Sequence, residues 1–291
     1  MNNTFTKKRR NVLILASMAL ALLFTVGFAG NLRAQSTNPS PYCGAAGLNG
    51  TICDGWTAAF EKVEFNKLKF DRPSCPSISR GLYSYWDAAS FPKYTTDVTP
   101  GSSYLFKTQN GPATTTGNRY AGWIDWNGDR DFNDAGEYFA TNRNINFNTT
   151  DNYSQTVSVP CSAKPGLTRM RLRVSGSNTF NATTTCNSVT WGETFDFDIT
   201  INTPSNPTAN FFIPDTVFTG SPATFINANK DGYIGHQWST SVNGLSTIEA
   251  TTTNFLYAFP SAGTYQVRIT STNCAGSATT TKNVVVVDPT V

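Results

Sequence analysis

Thr194-Phe195-Asp196-Phe197-Asp198-Ile199-Thr200-Ile201 alternates polar and apolar residues without a break, and Arg169-Met170-Arg171-Leu172-Arg173-Val174 does the same. Successive side chains of a strand point to opposite faces, so each run places a continuous apolar row on one side. Both therefore read as half-buried strands of a sheet with one wet side. On that reading the arginine row and the row of Asp196 and Asp198 face water. Two functional alternatives stand beside the solvated face. The arginines could grip an anionic glycan, or Asp196, Asp198 and Glu193 could supply a carboxylate pair for glycoside hydrolysis.

The same pattern continues outward. Val63, Phe65, Leu68 and Phe70 mark an early strand interrupted at Asn66-Lys67. Tyr104 and Phe106 share one face of the run 102–108, and Tyr120 to Trp126 forms another apolar run. No long segment has a helical apolar period. Thr, Asn, Ser and Gly are abundant and charged residues make up only 14% of the chain, a composition that suits sheets and turns. Many short strands with turn residues between them predict an all-β chain built as a β-sandwich. Thr203-Pro204-Ser205-Asn206-Pro207 is polar and proline-bearing, which places a linker at 203–206. It separates a first domain, 42–202, from a second all-strand domain, 207–291.

The start of the chain reads as a secretory signal peptide over 1–34. Lys7, Lys8, Arg9 and Arg10 precede an apolar run from Val12 to about Ala29, and Ala34 offers a small residue for cleavage. An uncleaved anchor is the alternative, since the run approaches the length of a membrane span. Residues 35–41 form a Ser-, Asn- and Pro-rich leader linker. Removing 1–34 takes away five Lys/Arg and no Asp/Glu, which turns the formal net charge from +3 to −2. With no basic patch, nucleic acid is not an expected partner, and no membrane span is expected after cleavage. The expected location is secreted or cell-surface.

Six cysteines, Cys43, Cys53, Cys75, Cys161, Cys186 and Cys274, contain no CxxC pair, so disulfides are expected over zinc or redox chemistry. Cys161 and Cys186 flank one strong strand, which favours a bond between them. The remaining pairing stays open, with Cys274 the one candidate partner beyond the first domain.

Between the strands lies Asp125-Trp126-Asn127-Gly128-Asp129-Arg130-Asp131-Phe132-Asn133-Asp134-Ala135-Gly136-Glu137. Oxygen side chains recur at every second residue, then a glutamate follows. Ca²⁺ takes six to eight oxygen ligands in a flexible shell, and such a loop can supply most of them. The expected ligands are Asp125, Asn127, Asp129, Asp131 and Glu137. Glu137 falls one position beyond EF-hand spacing and Arg130 stands where an EF-hand needs glycine, so this is a ligand ladder between strands. A set of Asx turns solvated by water is the alternative.

Tyr83, Tyr85, Trp86 and Phe91 crowd one segment. Either they fill the core or some stack on a ligand; Tyr85 and Trp86 are the candidate contacts. His236 is the one histidine, and no HExxH motif is present.

The first domain resembles the GEVED family of bacterial secreted proteins. The resemblance rests on Gly122 to Asp129 with Gly136-Glu137, on Val159-Pro160-Cys161 with Gly166 to Val174, on Val98 to Gly101, and on Gly192-Glu193-Thr194-Phe195-Asp196-Phe197. Phe195 and Arg130 depart from the family's usual glutamate and glycine. The second domain resembles a PKD domain, an immunoglobulin-like sandwich. Pro207 to Phe211, Trp238 and Phe259-Pro260-Ser261-Ala262-Gly263-Thr264-Tyr265-Gln266-Val267 carry that likeness. Ser241 to Gly244 stands where that family has Gly-Asp-Gly. The pairing resembles surface proteins of Bacteroidetes-type bacteria. It implies a non-catalytic binding or adhesion protein for an extracellular glycan or protein ligand, with a calcium-stabilised β-domain. The rival expectation is the accessory region of an extracellular protease or glycanase.

Overall fold

The computed structural model describes residues 38–44, 60–72, 83–110, 119–139, 152–175, 179–189, 192–229 and 232–289. The signal peptide, Cys53 and Cys75 lie outside them. Among the described residues the regular structure is all β, and no helix is long and apolar enough to cross a membrane.

Among the described residues, nine strands build the first sandwich. One sheet has the order β2 (Leu68–Asp71), β1 (Phe60–Phe65), β5 (Ser103–Asn110), β7 (Asn152–Ser158). The other runs β3 (Tyr83–Trp86), β9 (Gly192–Ile201), β8 (Gly166–Ser175), β6 (Arg119–Ile124). Both β3 and β4 (Thr96–Val98) pair in parallel with β9, on successive parts of its length. The break at Asn66-Lys67 is the turn of a hairpin: Phe65 pairs with Leu68, and Asn66 takes the left-handed conformation that asparagine tolerates. Phe60, Phe65 and Phe106 from one sheet meet Leu172, Phe195 and Phe197 from the other in a single core.

Among the described residues, seven strands build the second sandwich. The smaller sheet is β10 (Phe211–Phe212), β12 (Pro222–Asn227), β14 (Phe255–Ala258). The larger is β11 (Val217–Phe218), β16 (Gly276–Val287), β15 (Gly263–Asn273), β13 (Tyr233–Thr240). Trp238 on β13 is fully buried, stacks on Phe255 at 5.5 Å and donates its indole N–H to Thr252 O at 3.0 Å. A buried tryptophan with its one donor satisfied makes a large apolar anchor without a polar cost. His236 sits two residues earlier on the same strand, bonded to Asn227 and Ser271.

The cysteine bonding corrects the sequence expectation. Cys161 bonds Cys274, and Cys186 bonds Cys43, with Cα separations of 5.1 and 5.7 Å. Cys161 and Cys186 lie at opposite ends of the ten-residue strand β8, and a strand rises about 3.3 Å per residue. That distance is far beyond a disulfide's span. The Cys161–Cys274 bond joins the first sandwich to the β15–β16 turn of the second. Gly101 makes room for it: a Cβ there would lie 2.8 Å from the Cys274 sulfur. Asn273 beside it donates to Ser205 O at 2.9 Å.

Candidate functional site

The acidic loop leaves β6 and returns beside it. Ile124 N–H donates to Glu137 O and Phe139 N–H to Gly122 O, each at 2.9 Å, and Trp123 bridges Tyr138. Within this frame the every-second-residue spacing is a relay of Asx turns. Asn127 Oδ1 accepts from Asp129 N–H, Asp129 Oδ1 from Asp131 N–H, and Asp131 Oδ1 from Asn133 N–H, at 2.8–3.0 Å. Each side chain fixes the peptide two residues on, so the ladder shapes its own backbone.

Two of the five expected ligands are turned inward. Asp125 is fully buried; its carboxylate accepts from Gly128 N–H (2.6 Å), Arg130 N–H (3.0 Å) and the Tyr42 hydroxyl (2.7 Å). Glu137 is 1% exposed and accepts from Trp126 N–H and Asp134 N–H. These two carboxylates hold the loop shut. The oxygens that converge outward belong to Asp129, Asp131 and Asp134, all within 4.8 Å of one another. Asn127 Nδ2 bridges Asp129 and Asp134 at 2.9 and 2.6 Å. Asp134 is therefore the residue that sequence reasoning missed. It breaks the two-residue rhythm, and its position three residues before Glu137 was the available signal. Three convergent carboxylates are a hard-oxygen donor set of the kind Ca²⁺ takes. Asp131's N–H, and next the Asn127 amide, hold the Asp129 carboxyl below its ordinary range.

Burial pushes the Glu137 carboxyl up to about 7, against the Asp134 and Trp126 N–H bonds and helped by the nearby charges of Asp125 and Asp134. A carboxyl whose folded pKa exceeds its unfolded value binds protons more readily in the native state. Its contribution therefore favours folding at low pH and is lost as pH rises from about 4.5 through about 7. In chelator, thermal melts across that window are expected to fall more steeply for the native protein than for Glu137→Gln. Equal slopes would show that Glu137 does not titrate there.

Arg130 has a φ of 78°, in the left-handed region where a side chain costs energy. The glycine it replaces in the family resemblance would fit without that cost. Arg130→Gly is expected to stabilise the domain by about 0.5–1 kcal/mol, the relief of strain exceeding the added freedom of the unfolded chain. A destabilising result in urea titration would mean that the arginine side chain makes up for its backbone.

Behind the loop, the structure overturns the wet face. Arg169, Arg171 and Arg173 are 3%, 0% and 0% exposed, and Glu193, Asp196 and Asp198 are buried too. The physical reason is mutual pairing under a cover. Arg171 donates to both oxygens of Asp196 at 2.8 Å, and Tyr83 donates to Asp196 at 2.6 Å. Burial works against the Arg171 charge, but the Asp196 carboxylate outweighs it and holds the pKa above its ordinary value. Each arginine also fastens a covering segment. Arg169 lies between the Tyr42 and Tyr85 rings, at 4.4 and 3.9 Å, and donates to Pro39 O. Arg171 stacks over Phe132 of the acidic loop at 5.0 Å. Arg173 donates to the carbonyls of Thr184, Thr185 and Asn187 and to Thr194 Oγ1. With no carboxylate bonded to it among the described residues, Arg173 is drawn down to about 10 by burial and the charge of Arg171. A second small core of Ala121, Trp123, Phe132, Phe180 and Val189 completes the cover.

Alternation separates the two candidate contact residues. Trp86 packs inward on Phe70, Phe91 and Tyr94, at ring distances of 4.9–5.3 Å. Tyr85 points the other way and donates to Asp198 at 2.8 Å. They cannot form one contact surface. Tyr85 lines a cleft of about 300 Å³ with Tyr42, Arg130, Leu167, Arg169 and Asp198, beside the acidic loop. Glu193 is turned inward: its Oε1 accepts from Phe60 N–H and Arg72.

Fold and site together define an all-β sandwich module with an acidic surface loop and a buried ionic layer. Residues 119–200, which carry that loop and β6 to β9, match the GEVED domain. No curated protein sequence matches the chain. Among solved structures, the fibronectin(III)-like modules of Clostridium thermocellum CbhA are similar at 9% identity, over 67% of this chain and 89% of that one, with a TM-score of 0.24. SGBP-B of the Bacteroides ovatus mixed-linkage glucan utilization locus, solved with a mixed-linkage heptasaccharide, is similar at 13% identity and a TM-score of 0.21. That alignment covers 67% of this chain and 42% of SGBP-B. A bacterial ice-binding adhesin aligns at 16% identity, over 66% of this chain and 61% of its own, with a TM-score of 0.23.

Proposed function

We propose that this protein is a secreted or cell-surface binding module: a GEVED domain with a calcium-stabilised loop, followed by a PKD-type sandwich, that holds an extracellular glycan or protein ligand without turning it over. The observation that carries this reading is the use made of the charged side chains. The groups that resemble catalytic machinery are buried and held: Asp196 and the three arginines by one another and by covering segments, Glu193 by Phe60 N–H and Arg72, and Asp198, on the cleft wall, by Tyr85 and Ala88 N–H. A general acid or base has to reach a substrate proton. Among the described residues, the carboxylates that converge at the surface are Asp129, Asp131 and Asp134, and these would hold the calcium. A bound ion there would supply charge neutralisation and rigidity. The cleft beside the loop, with Tyr85 on its wall, is where a ligand would sit, since an aromatic wall with a few polar groups suits such a role. Disulfides and a signal-like leader support an extracellular setting.

The test is a glycan array and a binding assay on surface extracts, with and without calcium, run beside a product-release assay. Retention of a ligand without product, weakened by chelator and by Tyr85→Ala, supports the reading. Cleavage of a polysaccharide or peptide by the purified chain, abolished by changing one carboxylate, would replace it with an enzyme. Recovery of a longer polypeptide carrying a protease or glycanase domain would favour the accessory-region reading.

A further inference from the structure

We infer that the disulfides Cys43–Cys186 and Cys161–Cys274 form a covalent bypass that makes the chain nearly inextensible between Cys43 and Cys274, with strand β8 carrying the load. The inference is independent of what the module binds. The bonds Cys43–Cys186 and Cys161–Cys274 close loops of 143 and 113 residues, and the two loops overlap. The overlap creates two covalent nodes, one at Cys43 and Cys186, the other at Cys161 and Cys274. Three chain segments run between the nodes in parallel: 44–160, 162–185 and 187–273. Tension applied to the two ends enters at one node and leaves at the other. The shortest segment goes taut first and shields the other two. That segment, 162–185, has about 25 residues and reaches about 90 Å at full stretch.

The short segment contains β8, Gly166–Ser175, an interior strand that is buried from Thr168 onward. It pairs with β9 along its full length and with β6 over Met170–Ser175. Ladder hydrogen bonds of antiparallel strands run across the strand axis. Pulling β8 from both ends therefore acts along a strand that is already extended, at right angles to both ladders, and does not peel them one bond at a time. Arg169, Arg171 and Arg173 add side-chain anchors on the same strand, to Asp196, to Pro39 O and to the carbonyls of the 184–187 turn. The ionic layer and the staples thus act on one element. Such a device suits a module that transmits force between an anchor and a partner, since the sandwiches can lose local structure without the chain paying out.

Single-molecule force spectroscopy on residues 38–289 between handles tests this. With both disulfides formed, the whole chain is expected to extend by no more than about 160 Å, the taut segment plus the short ends outside the nodes. Cys161→Ser with Cys274→Ser keeps the Cys43–Cys186 bond and should extend to about 380 Å; full reduction should give about 880 Å. Peptide mapping of the non-reduced wild type guards against a variant that fails to fold. Extension of the oxidised protein beyond about 300 Å, or mapped pairings other than 43–186 and 161–274, would overturn the inference.

Discussion

Asp196→Asn is expected to cost about 3–5 kcal/mol, because it leaves the Arg171 guanidinium charged and buried without its counter-ion. Asp196 is fully buried and accepts from Arg171 twice, from Tyr83 and, at 3.5 Å, from Arg169. The asparagine keeps the shape and loses the charge, so the loss reports electrostatics more than packing. Equilibrium urea unfolding measures it. A second variant separates the pair from its burial: Asp196→Leu with Arg171→Met removes both charges and should recover much of the loss, since a buried ion pair often adds little over apolar residues of like volume. A loss below about 1 kcal/mol for Asp196→Asn would mean that water reaches the layer in solution, and the arginine row would again be available to an anionic ligand.

Gly192→Ala is the other change with a large expected effect, about 3 kcal/mol or more, or failure to fold. Gly192 opens β9 with a φ of 148°, and a Cβ there would sit 1.9 Å from the carbonyl oxygen of Val174. That neighbour is backbone in the middle of the sheet and cannot step aside. Gly166 is the control. Its φ is 136°, yet a Cβ would meet nothing within 4 Å. Gly166→Ala therefore measures the conformational cost alone, and the difference between the two variants isolates the collision. If both alanines cost the same, strand β9 shifts to accept the methyl group. The following residue explains the rest of this Gly-Glu pair: Glu193 ties β9 to the start of β1 and to Arg72 on the opposite sheet. The Gly-Glu pair thus acts on packing and sheet-to-sheet attachment.

The strands were legible because a period of two survives in any sheet with one apolar face. Val63, Phe106, Leu172 and Phe197 all fall where alternation puts them, in one core. Alternation could not say what lies over the other face. A polar row reads as solvated unless another segment covers it, and the cover here comes from residues 39–43, 132 and 179–189, far apart in the chain. Three arginines opposite Asp196 and Asp198 on neighbouring strands were the hint, since their register pairs Arg171 with Asp196 and Arg169 with Asp198. The disulfides were hidden for a similar reason. Sequence proximity favoured Cys161 with Cys186, while the strand between them drives the two apart. In the acidic loop the spacing exposed the Asx relay but not which oxygens turn outward. Asp125 and Glu137 are drawn in by peptide N–H groups that no side-chain pattern displays.

The central claim, that the outward carboxylates form a calcium site that stiffens a binding module, is tested most directly by thermal melting in calcium and in chelator. Calcium at about 100 times its dissociation constant should add about 2.7 kcal/mol and raise the melting temperature by about 5–10 °C. Asp129→Ala and Asp134→Ala should each remove most of that rise, while Arg130→Gly should keep it. Identical melting curves in calcium and chelator would contradict the account and leave the loop as a relay of Asx turns.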